Sequence, residues 1–175
     1  SFIVWRSIDM GGSFVIESYS SGFSGGGHPI TRPKFVDCIF RDNAAGNSSS
    51  NNSSYGEGGA IYSGNANPIF ENCVFDSNYA TSGGAIYLSG NPESVAYTPT
   101  YIRNSKFTDN SASDGGSNFA SAQGGALTIG SVRHIIISNS SFTNTSATSL
   151  NSSARGGAIY IGSDWDPVNV DEVLI

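Results

Sequence analysis

Phe75-Asp76-Ser77-Asn78-Tyr79-Ala80-Thr81-Ser82-Gly83-Gly84-Ala85-Ile86-Tyr87 joins two short phrases, Phe-x-x-Asn and Gly-Gly-Ala-Ile-Tyr, that recur along the chain. The second, in the form Gly-Gly-Ala-(Ile/Leu)-(Tyr/Thr), begins at Gly58, Gly83, Gly124 and Gly156. Each copy follows a copy of the first: Phe40-Arg41-Asp42-Asn43, Phe75-Asp76-Ser77-Asn78, Phe107-Thr108-Asp109-Asn110 and Phe142-Thr143-Asn144-Thr145, where Thr replaces the last Asn. Two phrases alternating in fixed order mark a repeated supersecondary unit. Such a repeat decides the fold ahead of local propensity.

The Phe anchors stand 35, 32 and 35 residues apart. A six-residue segment with an apolar residue at each end leads into each one: Phe35 to Phe40, Phe70 to Phe75, Ile102 to Phe107 and Ile137 to Phe142. Pro33, Pro68 and Pro99 lie just upstream, where a strand can start without losing a ladder bond. Each unit holds short β-prone stretches divided by turn residues, and none has a helical period. One such unit cannot bury its apolar face alone. Stacked units can, which predicts an all-β, right-handed parallel β-helix of about five coils, spaced about 4.8 Å along the axis. Residues 1–175 are read as one β-helix segment, with recognisable repeats over about 35–162.

The two-residue period of a strand assigns directions. Phe40, Phe75, Phe107 and Phe142 are expected to stack inside, as are Phe35, Phe70, Ile102 and Ile137. The odd spacing between these sets requires a bend, placed at Asp37, Asn72, Asn104 and Asn139, residue types that tolerate the left-handed region. Asn43, Asn78 and Asn110 are expected to form a side-chain ladder at the next corner. Ile61, Ile86, Leu127 and Ile159 should point inward. Ala60/Tyr62, Ala85/Tyr87, Ala126/Thr128 and Ala158/Tyr160 should point outward.

The 175 residues carry a net charge of -6 with only 13% charged residues, and Ser, Thr, Asn and Gly supply the polarity. That balance argues against nucleic acid or an anionic membrane surface, since both need a basic patch. No apolar run reaches the roughly 18 residues of a spanning helix. The chain starts and stops within apolar stretches, Ser1 to Trp5 and Val168 to Ile175, whereas solenoids carry polar caps. The expectation is a segment of a longer chain, with any secretion signal upstream or removed.

The alternation of Gly-Gly-Ala-(Ile/Leu) with Phe-x-x-Asn resembles the repeats of the chlamydial polymorphic outer-membrane proteins and related surface β-helix proteins. The resemblance covers about residues 35–162 and departs at Thr145 and at Leu127-Thr128. It implies a secreted β-helix of the kind carried as an autotransporter passenger and used in adhesion. It brings no catalytic site with it.

The residues themselves point the same way. Polysaccharide cleavage on a β-helix needs paired acids on one face, and the outward Gly-Gly strand positions carry none. Asp42 and Asp109 share a repeat position but read as turn acids, because Asp76-Ser77 interrupts the row. Asp164 and Asp166 offer two carboxylates where Ca²⁺ takes six to eight oxygens. His28 and His134 have no partners for a triad or a zinc set. No catalytic residue, cofactor or metal is therefore expected. Cys38 and Cys73 share a repeat position that Ser105 and Ser140 fill later, so it reads as a slot for a small inward residue holding free or easily reduced thiols. The alternative is a disulfide, which the coil spacing allows, parallel Cβ vectors strain and an extracellular setting favours.

Three Ser/Asn/Gly-rich insertions, Ala44 to Glu57, Ser111 to Gln123 and Thr143 to Arg155, are expected to emerge as loops along one edge. Sequons begin at Asn47, Asn51, Asn52, Asn139, Asn144 and Asn151, which in a eukaryotic secreted protein would be glycan sites. The most distinctive outward feature is the row Tyr62, Tyr87, Thr128 and Tyr160, a candidate binding face. The reading is a non-enzymatic extracellular or cell-surface β-helix for adhesion to a host or neighbouring surface protein or glycan. Its alternatives are a glycoprotein subunit of a filament or coat, self-assembling end to end or laterally, and a polysaccharide-active enzyme.

Overall fold

The computed structural model describes residues 4–5, 14–17, 32–46, 56–64, 66–89, 99–115, 121–130, 132, 134–162 and 172–174. Its strands pair only in parallel, each with its equivalent one coil away, and no helix occurs among the described residues. The chain is a parallel β-helix.

Three five-stranded sheets form its walls. The first consists of Lys34–Val36, Ile69–Glu71, Thr100–Arg103, His134–Ser138 and Glu172–Leu174. The second, which carries the Phe anchors, consists of Val4–Trp5, Ile39–Arg41, Val74–Asp76, Lys106–Thr108 and Ser141–Thr143. The third follows the glycine pairs through Phe14–Glu17, Ile61–Gly64, Ile86–Ser89, Leu127–Ile129 and Ile159–Ile161. The register stays in phase with the repeat: Phe40 pairs with Phe75, Phe75 with Phe107, and Phe107 with Phe142.

These four rings stack nearly face to face, with centroids 4.9, 4.6 and 4.6 Å apart. Phe35 and Phe70 stack beside them at 5.2 Å, and Phe70 meets Phe75 edge-on. Ile61, Ile86, Leu127, Leu88, Ile129, Ile102 and Ile137 pack in the same core. Between the first and second sheets the chain turns at Asp37, Asn72, Asn104 and Asn139, with φ of 50–55°. A second left-handed column, Asp42, Ser77, Asp109 and Asn144, turns the chain out of the second sheet with φ of 53–55°. Both turns are built from residues whose short polar side chains tolerate this region.

Beyond the second turn lies the asparagine column. Asn43 Nδ2 donates to Asn78 Oδ1, and Asn78 Nδ2 donates to Asn110 Oδ1, both at 2.9 Å. The same oxygens accept from the backbone N–H groups of Asn43 and Asn78. The amide nitrogens of Asn78 and Asn110 also reach one coil back, to the carbonyls of Phe40 and Phe75. These buried amides satisfy both each other and the backbone, as burial of polar groups requires.

Two expectations are corrected. Ala60, Ala85 and Ala126 do not point outward but lie buried in the core cluster. The N–H groups of Ala60 and Ile61 both bond to the carbonyl of Ala85, and the next coil repeats this with Ala126. Two donors on one acceptor break the alternation as a bulge does, so consecutive residues both turn inward. The insertions, in turn, are not loops throughout. Two of them open as Ser111–Ser113 and Ser146–Thr148, which continue the wall begun by Tyr79–Ala80 in the coil without an insertion, and close as Ala122–Gln123 and Ala154–Arg155. Small side chains such as Ala80 and Ala112, both fully buried, let the coils stack there without large apolar residues.

The small-residue slot is a hydrogen-bonded column. Cys38, Cys73, Ser105 and Ser140 each donate from the side chain to the carbonyl two residues earlier. Ser105 Oγ also accepts from Cys73 N–H at 3.1 Å, and Ser140 Oγ accepts from Ser105 N–H at 3.1 Å. A hydroxyl therefore makes the same hydrogen bond here that a thiol does. The double variant Cys38→Ser/Cys73→Ser is expected to keep its β-sheet circular dichroism and to change unfolding free energy by no more than about 1 kcal/mol. A collapse in folded yield would show that the sulfurs are needed.

Candidate binding face

Tyr62, Tyr87, Thr128 and Tyr160 fall in one register column on the third sheet. The three tyrosines are half-buried. Tyr62 and Tyr87 lie parallel, with ring centroids 5.8 Å apart and planes 6° apart. Glycines near the rings let them lie low over the sheet. A methyl group at Gly64 would meet the Tyr62 ring at 3.2 Å, and one at Gly130 would meet the Tyr87 hydroxyl at 3.4 Å.

Thr128 is not part of the exposed row. It is 0% exposed, because its hydroxyl turns back to donate to the Gln123 carbonyl at 2.9 Å. The row is thus a stacked pair, Tyr62 and Tyr87, separated from Tyr160 by a buried coil.

A polar column, which the sequence reading did not single out, flanks the tyrosines. Glu57, Ser82, Gln123 and Arg155 each precede a glycine pair and are aligned coil by coil. Burial pushes the Glu57 carboxyl above its ordinary value, while a hydrogen bond with Tyr87 acts in the opposite direction. Arg155 donates to the Tyr160 hydroxyl at 3.3 Å. The signal was their shared repeat position, obscured because the four residue types differ in charge and size.

The other candidates are scattered. Asn139 and Asn144 are exposed turn residues in the left-handed region, and Asn151 is exposed. Asn47, Asn51, Asn52, His28, Asp164 and Asp166 lie outside the described residues. Asp42 and Asp109 sit in the second turn column, where their role is conformational. His134 opens a strand of the first sheet. Among the described residues, no three His, Cys, Asp or Glu side chains gather where they could hold a metal ion. The ion pairs Lys34–Glu71 and Arg41–Asp76 link neighbouring coils at the surface, where such pairs contribute little.

Residues 37–64 and 72–89 match the Chlamydia polymorphic membrane protein (Chlamydia_PMP) repeat. The chain resembles that family. Each match starts at a left-handed turn, Asp37 or Asn72, and ends on a strand of the third sheet, at the paired positions Gly64 and Ser89. The matched unit is therefore the stretch from one bend through the Phe anchor and the glycine pair to the tyrosine strand. No curated protein and no solved structure matches the chain.

Proposed function

We propose that this chain is a surface-displayed β-helix module, at the cell surface or outside the cell, that acts by adhesion rather than by catalysis. The observation carrying this reading is the match of two consecutive coils to a repeat named for a membrane protein family. The chemistry of the tyrosine column agrees with it. The column has no carboxylate, whereas glycoside hydrolysis uses a pair, and its rings combine rigid apolar area with a polar tip. A surface protein or glycan would be the partner, with Tyr62 and Tyr87 as the contact and Glu57 and Arg155 as polar neighbours.

The test is attachment of the purified chain, on beads, to cells or immobilised glycans, against Tyr62→Ser/Tyr87→Ser. Losing both rings should cost about 2 kcal/mol or more of binding, roughly a 30-fold loss of affinity, with the β-sheet signal unchanged. Equal attachment by a folded variant would move the contact to another face. A large drop in unfolding midpoint would make the two rings part of the core.

A further inference from the structure

We propose that Cys38 and Cys73 form a reversible disulfide between adjacent coils, a covalent modification site inside the first wall corner. The two residues hold the same position in successive coils. Val74 N–H donates to the Cys38 carbonyl, just as Lys106 N–H donates to the Cys73 carbonyl one coil on. Stacked strands bring their Cα atoms to about 4.8 Å, inside the window that a disulfide spans. The Cys73 sulfur points back toward the earlier coil, reaching the Phe35 carbonyl at 3.5 Å. Both thiols are buried and free.

Closure removes two protons and two electrons and makes one S–S bond, with a small-molecule or protein disulfide as oxidant. One thiolate attacks the oxidant's disulfide, releasing the first thiol and leaving a mixed disulfide. The second thiolate then attacks the mixed bond at the cysteine sulfur and expels the second thiol. The asymmetry of the pair assigns the order. Cys38 is 7% exposed and Cys73 1%, and burial pushes the Cys73 thiol up to about 11. Cys38 is therefore the attacking group and Cys73 the resolving one. Parallel Cβ vectors hold the sulfurs in a geometry that strains the bond, so it is a readily reduced link rather than a permanent staple.

The experiment uses the chain itself, refolded with a reduced and oxidised glutathione couple, acid-quenched, unfolded and treated with N-ethylmaleimide. In excess oxidised glutathione the expected product is a monomer about 2 Da lighter than the dithiol, carrying no maleimide. Trypsin should yield residues 35–41 joined to residues 42–103, separating on reduction. Raising the share of reduced glutathione should reopen the bond while the circular dichroism stays native. Four results would overturn the proposal: two maleimide adducts, glutathione retained on Cys38, a covalent dimer, or loss of the β-sheet signal on oxidation.

Discussion

Gly84→Ala is expected to abolish most folding, although it adds a single methyl group. A Cβ at this position would lie 2.1 Å from the Gly125 carbonyl oxygen and 2.5 Å from that of Ser111. Both obstacles are backbone, fixed by ladders on either side, so neither can swing away as a side-chain tip could. The loss should exceed about 5 kcal/mol, at the extreme of what one substitution does and comparable to a domain's whole stability of about 5–15 kcal/mol. Urea unfolding followed by circular dichroism would measure it. Gly115→Ala is the control: its φ is +61°, but nothing lies within 4 Å of the added methyl. It should cost only about 1–2 kcal/mol, the penalty for a left-handed non-glycine residue. Similar midpoints for the two variants would mean that the coils are not packed as closely as the glycine column requires.

Asn78→Ala should be nearly as damaging, for a different reason. Asn78 is 1% exposed and is the middle rung of the amide ladder. Its removal takes the acceptor from Asn43 N and Nδ2, and the donor from the Phe40 carbonyl and Asn110 Oδ1. Asn110 Oδ1 keeps its bond from the backbone N–H of residue 78. With a buried unsatisfied group costing about 1–3 kcal/mol, the other three imply a loss of about 3–5 kcal/mol after partial relaxation. Asn78→Asp keeps the acceptor but loses both donors and buries an acid, so it should not rescue. A loss below about 1 kcal/mol would show that the ladder is ornamental.

The fold was legible because its decisive constraints are local and repeated. The Phe column, the asparagine rungs and the bend at Asp37, Asn72, Asn104 and Asn139 each use residue types whose chemistry names their role. The second bend was harder to see. Ser77 stands between Asp42 and Asp109 in that column, and Ser is a less telling left-handed residue than Asn or Asp. The outward assignment of Ala60, Ala85 and Ala126 failed because a strict two-residue period was carried across a point where two N–H groups share one carbonyl. Thr128 failed similarly: its register was right, but its hydroxyl found a closer partner in the preceding turn. The strands inside the insertions were hidden by their composition, since Ser, Ala and Thr carry no apolar pattern and the wall there is held by backbone pairing. The tyrosine column was visible in sequence. The polar column beside it was not, because Glu57, Ser82, Gln123 and Arg155 share nothing but position.

The ladder bonds have a further consequence for how such a chain reaches its native state. The asparagine and small-residue rungs join residues 32 or 35 positions apart. That separation is one coil with its insertion and does not grow as coils are added. Each new turn therefore closes a loop of one coil, 25 to 41 residues between successive glycine pairs, and the entropy of closure varies only with the logarithm of that length. Stability then accumulates as a sum of nearest-neighbour terms along a one-dimensional array. Once the first two coils have docked, later ones meet a ready template of carbonyls and amide side chains, so growth can proceed from an existing edge without a fresh nucleus. A solenoid of this kind can lengthen by duplication while its slowest folding step stays the same size.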